Sequence, residues 1–257
     1  MPTDVTSKTP PSEQSSLAAA SASFKLQMSA HYGDLYKELL SGRKKFLSNY
    51  ATSVECADEK FAQKIPDEDR DHMKITVKIF LRIPSATEVE EAVEKACEEL
   101  GVHHLEKVLL SLPDKKWSFD DLQTVWEKLE CLVESEKIYG IGVADLDKSQ
   151  LEQLYEWAKV KPYINQVILD SCCVMPAELT EYAKERDIRL LTHNDPKEIL
   201  SEKKFQGLIS TAMTSHDSDN WQPVWVVRYT VLFKWRGIVK AKGYIVKGSK
   251  DTKKKLP

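Results

Sequence analysis

No apolar run approaches the ~18 residues that a bilayer-spanning helix requires, so no membrane partner is expected. An excess of basic residues is also missing. The formal net charge is −3, which argues against a nucleic-acid partner, whose binding surface is usually strongly basic. The five cysteines, Cys56, Cys97, Cys131, Cys172 and Cys173, include no CxxC pair and no zinc-ligand spacing. His103 and His104 are adjacent, which suits two ligands on one face of a metal poorly, so no metal site is expected. An odd cysteine count without an export signal favours a reducing, cytoplasmic setting. The opening MPTDVTSKTPPSEQSSLAAASAS lacks the basic start of a signal peptide; residues 1–22 read as a disordered tail.

What is present is a repeating texture within 257 residues that are 42% hydrophobic, enough for one sizeable core. KITVKIFLRI (74–83) is β-branched and apolar and ends at Pro84, a strand pattern. SATEVEEAVEKACEEL follows, with Thr87 and Glu90 as a capping-box pair and Val89, Ala92, Val93, Ala96 and Leu100 at helical spacing. KVLLSLP (107–113) is the next strand; after it Ser118 can cap a helix with the stripe Leu122, Val125, Trp126, Leu129, Leu132 and Val133. IYGIGV (138–143) leads to a helix opened by Asp147 and Gln150.

NQVILD (165–170) and IRLLT (188–192) continue the strands, with a helix from Pro176 between them and another predicted after the Asp195-Pro196 cap. FKLQMS (24–29) is a further strand candidate. VWVVRYTVLFKW reads as a helix, GIVKAKGYIV (237–246) as a strand, and 247–257 as a frayed basic tail. Strands alternating with helices imply βα units on a parallel sheet. Their number favours a (β/α)8 TIM-type barrel over an open doubly wound sheet, in one domain spanning 23–246.

Gly140 and Gly142 raise the question of a dinucleotide fingerprint, which needs a third glycine and room for phosphates. Val143, Ala144 and Asp145 follow instead, and Asp145 and Asp147 would repel a phosphate. The pair reads as glycines at the end of a barrel strand.

Longer stretches are more specific. WEKLECLVESEKIYGIGVADLDKSQLEQL, KPYINQVILDSCC and WVVRYTVLFKWRGIV resemble segments of the aldo-keto reductases. That resemblance implies a barrel with its site at the C-terminal ends of the strands. It also implies an Asp, Tyr, Lys and His set. Lys78 matches the lysine, whereas Ser111 stands where the histidine should. The stretch that carries the Asp and Tyr has no counterpart before residue 74; His31-Tyr32-Gly33-Asp34 lacks its aspartate. At the nicotinamide site Ala144-Asp145 replace a Ser-Asn pair, His193 replaces a stacking tyrosine, and Gln166 is retained. KAKGYIV runs almost into the C-terminus, so the cofactor lobe is truncated, and no cofactor is expected.

LDKSQLEQLYEWAKVKP, SCCVMP and LLTHNDPKEIL resemble a narrower family, the regulatory (modifier) subunits of glutamate–cysteine ligase, over about Asp69 to Val246. This implies a non-catalytic chain that forms a heterodimer with the catalytic subunit in the first step of glutathione biosynthesis, improving glutamate binding and relieving feedback inhibition by glutathione. Lys78 and Gln166 would then be vestigial. Cys172 and Cys173 can be core residues, or thiols that pair with the partner subunit or sense oxidation. The alternative is an NADPH-dependent oxidoreductase with a displaced catalytic set. Among six tryptophans, Trp221 in the polar loop SHDSDNWQP is the better surface candidate.

Overall fold

The structure is a computed structural model that describes residues 21–28, 44–46, 54–56, 64–112, 117–168, 175–196, 198–210 and 218–250. It enters with β1 (Ser21–Met28), the small antiparallel pair β2 (Lys44–Phe46) and β3 (Val54–Cys56), and a one-turn helix α1 (Asp67–Arg70). A βα series follows: β4 (Met73–Leu81), α2 (Ala86–Leu100), β5 (Lys107–Ser111), α3 (Phe119–Glu134) and β6 (Ile141–Ala144). It continues through α4 (Lys148–Trp157), β7 (Ile164–Ile168), α5 (Ala177–Glu185) and β8 (Arg189–His193). Helix α6 (Glu202–Ser210) and two long strands, β9 (Trp221–Phe233) and β10 (Val239–Lys250), follow.

Eight strands form one sheet in the order β1-β10-β9-β4-β5-β6-β7-β8. β4 to β8 pair in parallel, each reached through a helix, which is the α/β architecture expected from the alternating texture. On the other side of β4 the additions are antiparallel: β9, then β10, then β1. The parallel strands are compatible with part of the expected barrel. Among the described residues the pairing ends at β8 and at β1 without closing a ring.

The helix stripes do what their spacing predicts. Val89, Ala92, Val93, Ala96 and Leu100 of α2 and Leu122, Val125, Trp126 and Leu129 of α3 are buried against one face of the sheet. That face presents Ile75, Val77, Ile79, Val108, Leu110, Val227, Tyr229 and Val231. Capping boxes form at Ser118/Asp121 and Asp147/Gln150. At α2 the cap is Ser85, whose side chain accepts from the Glu88 N–H, so the expected Thr87/Glu90 box is displaced by two residues.

Three further expectations are corrected. VWVVRYTVLFKW is strand β9: Trp225, Val227, Tyr229 and Val231 are buried toward the helices while Val226, Arg228 and Thr230 face the other way. Period two, with β4 and β10 supplying hydrogen bonds on both sides, overrides the helical reading. Among the described residues no helix opens directly after Asp195-Pro196; α6 starts at Glu202. Trp221 is 1% exposed, in a second apolar cluster with Phe205, Leu208, Val226 and Val246, whereas Trp235 in the β9–β10 turn is 86% exposed.

At the start, β1 covers most of FKLQMS and begins inside the stretch expected as tail. At the other end, β10 extends to Lys250, past the expected tail boundary. Lys247 is buried and ion-paired to Glu88 and Glu91 of α2 at 2.9 and 2.5 Å.

The glycine question also resolves. A Cβ at Gly142 would lie 2.6 Å from the Ile164 carbonyl oxygen and 2.8 Å from a Leu109 methyl. One at Gly140 would lie 2.6 Å from the Tyr163 ring. These glycines let neighbouring strands and a ring approach.

Candidate functional site

Side chains alternate along a strand, so Lys78 and Phe80 of β4 point away from the helix-packed face. Arg228 lies directly opposite Lys78 in the β4–β9 register. Two cations side by side on adjacent strands need an acid, and Asp195 supplies it from just beyond β8. Its Oδ2 accepts from Lys78 Nζ at 2.8 Å, and its Oδ1 accepts from Arg228 Nη1. The Lys78 and Asp195 side chains are 2% and 5% exposed, so this is a buried ion pair. Burial pushes the Lys78 pKa down, and the Asp195 charge only partly restores it. Burial would raise the Asp195 carboxyl, yet the His193 hydrogen bond and the Lys78 and Arg228 charges outweigh it and hold it well below the usual carboxylate range.

His193, the last residue of β8, bridges this pair to a second carboxylate. Its Nε2 lies 2.9 Å from Asp145 Oδ1, and its Nδ1 accepts the Asp195 backbone N–H at 3.1 Å. With Nδ1 accepting, Nε2 carries the proton and donates to Asp145. Burial disfavours the charged ring, but Asp145 and Asp195 outweigh it and raise the His193 pKa. Asp145 sits at φ +60, a left-handed conformation that aspartate tolerates. Its N–H donates to the Gln166 carbonyl and its Oδ1 accepts from the Ile168 N–H, each at 2.8 Å. The β6 end is thereby turned so that Asp145 faces His193.

These groups border a cleft of about 460 Å³ at the C-terminal ends of the strands. Ser111, Asp145, Gln150, His193 and Asp195 give it polar edges; Phe80, Leu110, Trp117 and Ile168 are among its apolar walls. Such a mix can hold a small ligand through an apolar body and a few fixed hydrogen bonds. Of the residues singled out from sequence, Ser111 lines the cleft and Lys78 lies beside it, locked to Asp195. Gln166 is adjacent through its backbone, and its side-chain Oε1 is buried without a partner among the described residues. Cys172 and Cys173 lie outside the described residues. Asp195 and Arg228 were missed: Asp195 read as a helix cap, Arg228 as part of a helix. Polar residues of one parity on β9, Gln222, Arg228 and Thr230, were the available signal.

The family model described as "Aldo/keto reductase family" matches residues 48–243. The chain belongs to the aldo/keto reductase family. The glutamate–cysteine ligase regulatory subunits of Mus musculus and Homo sapiens are each 46% identical to it over 202 residues, 77% of this chain and 74% of theirs. Among solved structures, an aldo-keto reductase enzyme from a Medee basin deep-sea metagenome library matches at 25% identity and a TM-score of 0.40. That match covers 45% of this chain and 41% of the other. Within the aldo/keto reductase family, this chain therefore has regulatory subunits as close relatives, and its cleft occupies the strand ends where barrel enzymes carry their sites.

Proposed function

We propose that this chain is a non-catalytic regulatory subunit of glutamate–cysteine ligase. It binds the catalytic subunit as a heterodimer in the cytoplasm, improves glutamate binding and relieves feedback inhibition by glutathione. The observation that carries this reading is 46% identity to regulatory subunits over about three quarters of both chains. Ser111, which the resemblance sets where a reductase carries histidine, lines the cleft.

The nicotinamide cofactor that the family implies fits these residues poorly. The Ala144 side chain offers no hydrogen bond, and the Asp145 carboxylate is engaged by His193 and the Ile168 N–H. No reaction step is assigned through it.

Regulation of this kind requires the chain to bind preferentially to the catalytic-subunit conformation that favours glutamate. By linkage, glutamate tightens subunit association and glutathione weakens it. The test is glutamate saturation of the purified catalytic subunit with and without a stoichiometric amount of this chain, glutathione present and absent. A lower apparent glutamate requirement and weaker glutathione inhibition are expected; unchanged curves in all four conditions would refute the proposal. Cys172 and Cys173 are the candidate intersubunit or redox thiols, read by non-reducing gels of the complex with each cysteine replaced by serine.

His193 favours a second reading, an NADPH-dependent oxidoreductase with a displaced catalytic set. It is a protonatable group at the cleft, held by two carboxylates. NADPH binding and its loss in His193→Gln would support that reading.

A further inference from the structure

The strand ends opposite the cleft carry a second group of charges, on the same face of the sheet. Lys74 lies four residues before Lys78 on β4 and shares its orientation. Lys107 opens β5, in register with Thr76. Arg189 opens β8 in register with Ile164, and its N–H donates to the carbonyl of Tyr163, just before β7. The Tyr163 ring occupies the space that the missing Gly140 side chain leaves, and the Lys107 ammonium lies 5.2 Å from the ring centre.

Lys107 feels the like charges of Lys74 and Arg189. Burial and those two like charges push its pKa down to about 8. None of the three is ion-paired to a carboxylate among the described residues, whereas Lys78, Lys137, Lys240 and Lys247 all are. The Tyr163 hydroxyl is buried with no hydrogen-bond partner among the described residues. Burial holds it protonated, so it remains a donor, and the Arg189 charge acts on it. Unpaired like charges beside an orphaned donor are unfavourable unless something neutralises them.

We propose that Lys74, Lys107, Arg189 and the Tyr163 hydroxyl form a binding site for a small anion carrying two or more negative charges, of the phosphate-ester or dicarboxylate class. Two ammonium groups, a guanidinium fork and a phenol provide only donors, the complement of clustered oxyanions. Three cations from three strands match a multivalent anion better than a single carboxylate. The site is separate from the cleft and does not depend on the regulatory reading.

The test is calorimetric titration of the full chain at low ionic strength with inorganic pyrophosphate and, separately, succinate. The variants are Lys107→Met, Arg189→Gln and, as a control on the outer face of α2, Lys95→Met. Saturable binding is expected for the parent, weaker by about ten- to a hundredfold in each site variant, as loss of a charge-assisted hydrogen bond implies, and unchanged in Lys95→Met. A preference for pyrophosphate assigns the phosphate class; a preference for succinate assigns the dicarboxylate class. Binding of neither probe at millimolar concentration, or equal binding by parent and both site variants, overturns the proposal. Arg189 is exposed at the sheet edge, so Arg189→Gln carries the test if Lys107→Met does not fold.

Discussion

Replacing Asp195 by asparagine keeps the shape of the side chain and removes the one charge that serves both Lys78 and Arg228. Lys78 is 2% exposed and Arg228 21%, so the cation left most stranded is the lysine. Breaking a buried pair by removing one partner destabilises by about 3–5 kcal/mol, a large share of the 5–15 kcal/mol typical of a folded domain. Lys78 has an escape: its pKa is already lowered by burial, and in the variant it can lose its proton. The loss should therefore be greatest at low pH and shrink as pH rises. Adding Lys78→Met should recover part of it, because the second change removes the stranded charge. The assay is urea unfolding of parent, both single variants and the double variant, read as shifts in midpoint at constant slope. A coupling of about 1–3 kcal/mol is expected between the two sites. An Asp195→Asn variant within about 0.5 kcal/mol of the parent, or a double variant no more stable than that single, would refute the ion-pair reasoning.

Other outcomes follow from the same geometry. Because the His193 pKa is raised in the folded chain, its stabilising contribution is complete below its ordinary value of 6.5 and fades as pH climbs through the raised midpoint. The stability difference between parent and His193→Gln should thus narrow between pH 6 and pH 9 in urea melts; parallel curves would contradict it. Gly142→Ala forces a methyl against the Ile164 carbonyl and Leu109 and should cost about 1–3 kcal/mol, measured as a lowered thermal midpoint. Gly237 has open space around it but φ +61, so Gly237→Ala should cost about 1 kcal/mol and Gly237→Asn less. Asp147→Ala removes the α4 cap and should cost about 0.5–2 kcal/mol, with amide exchange rising first at Gln150.

The βα series was legible because each helix buries one stripe and each strand is an apolar run closed by a cap or proline. Ser118 and Asp147 were readable as caps from their position before the stripe. Two overlapping S/T-x-x-E patterns, Ser85/Glu88 and Thr87/Glu90, left α2 ambiguous, and the geometry selects the earlier one. β9 was misread because its second face, Val226 and Leu232 among it, is also partly apolar, which blurs the period-two signal. The site was legible only where the resemblance pointed. Lys78 and Ser111 were matched in that way, but Asp195 reaches Lys78 across the sheet, and Arg228 joins it only through the β4–β9 register. Nothing local in Thr-His-Asn-Asp-Pro tells a cap from a counter-ion.

The placing of β9 beside β4 has a bearing on how the chain reaches its fold. Met73 pairs with Phe233, and β1 pairs with β10, so half of the sheet joins segments from distant parts of the chain. Such non-local pairing slows folding, because loop-closure entropy is lost before contacts reward it. During synthesis at about 5–20 residues per second, the β4–β8 arc is made well before the β9–β10 hairpin emerges. For those seconds β4 presents an open hydrogen-bonding edge and an incompletely covered apolar face. Substitutions that delay the hairpin turn at Gly237 should therefore lower the yield of folded chain by more than their effect on final stability suggests.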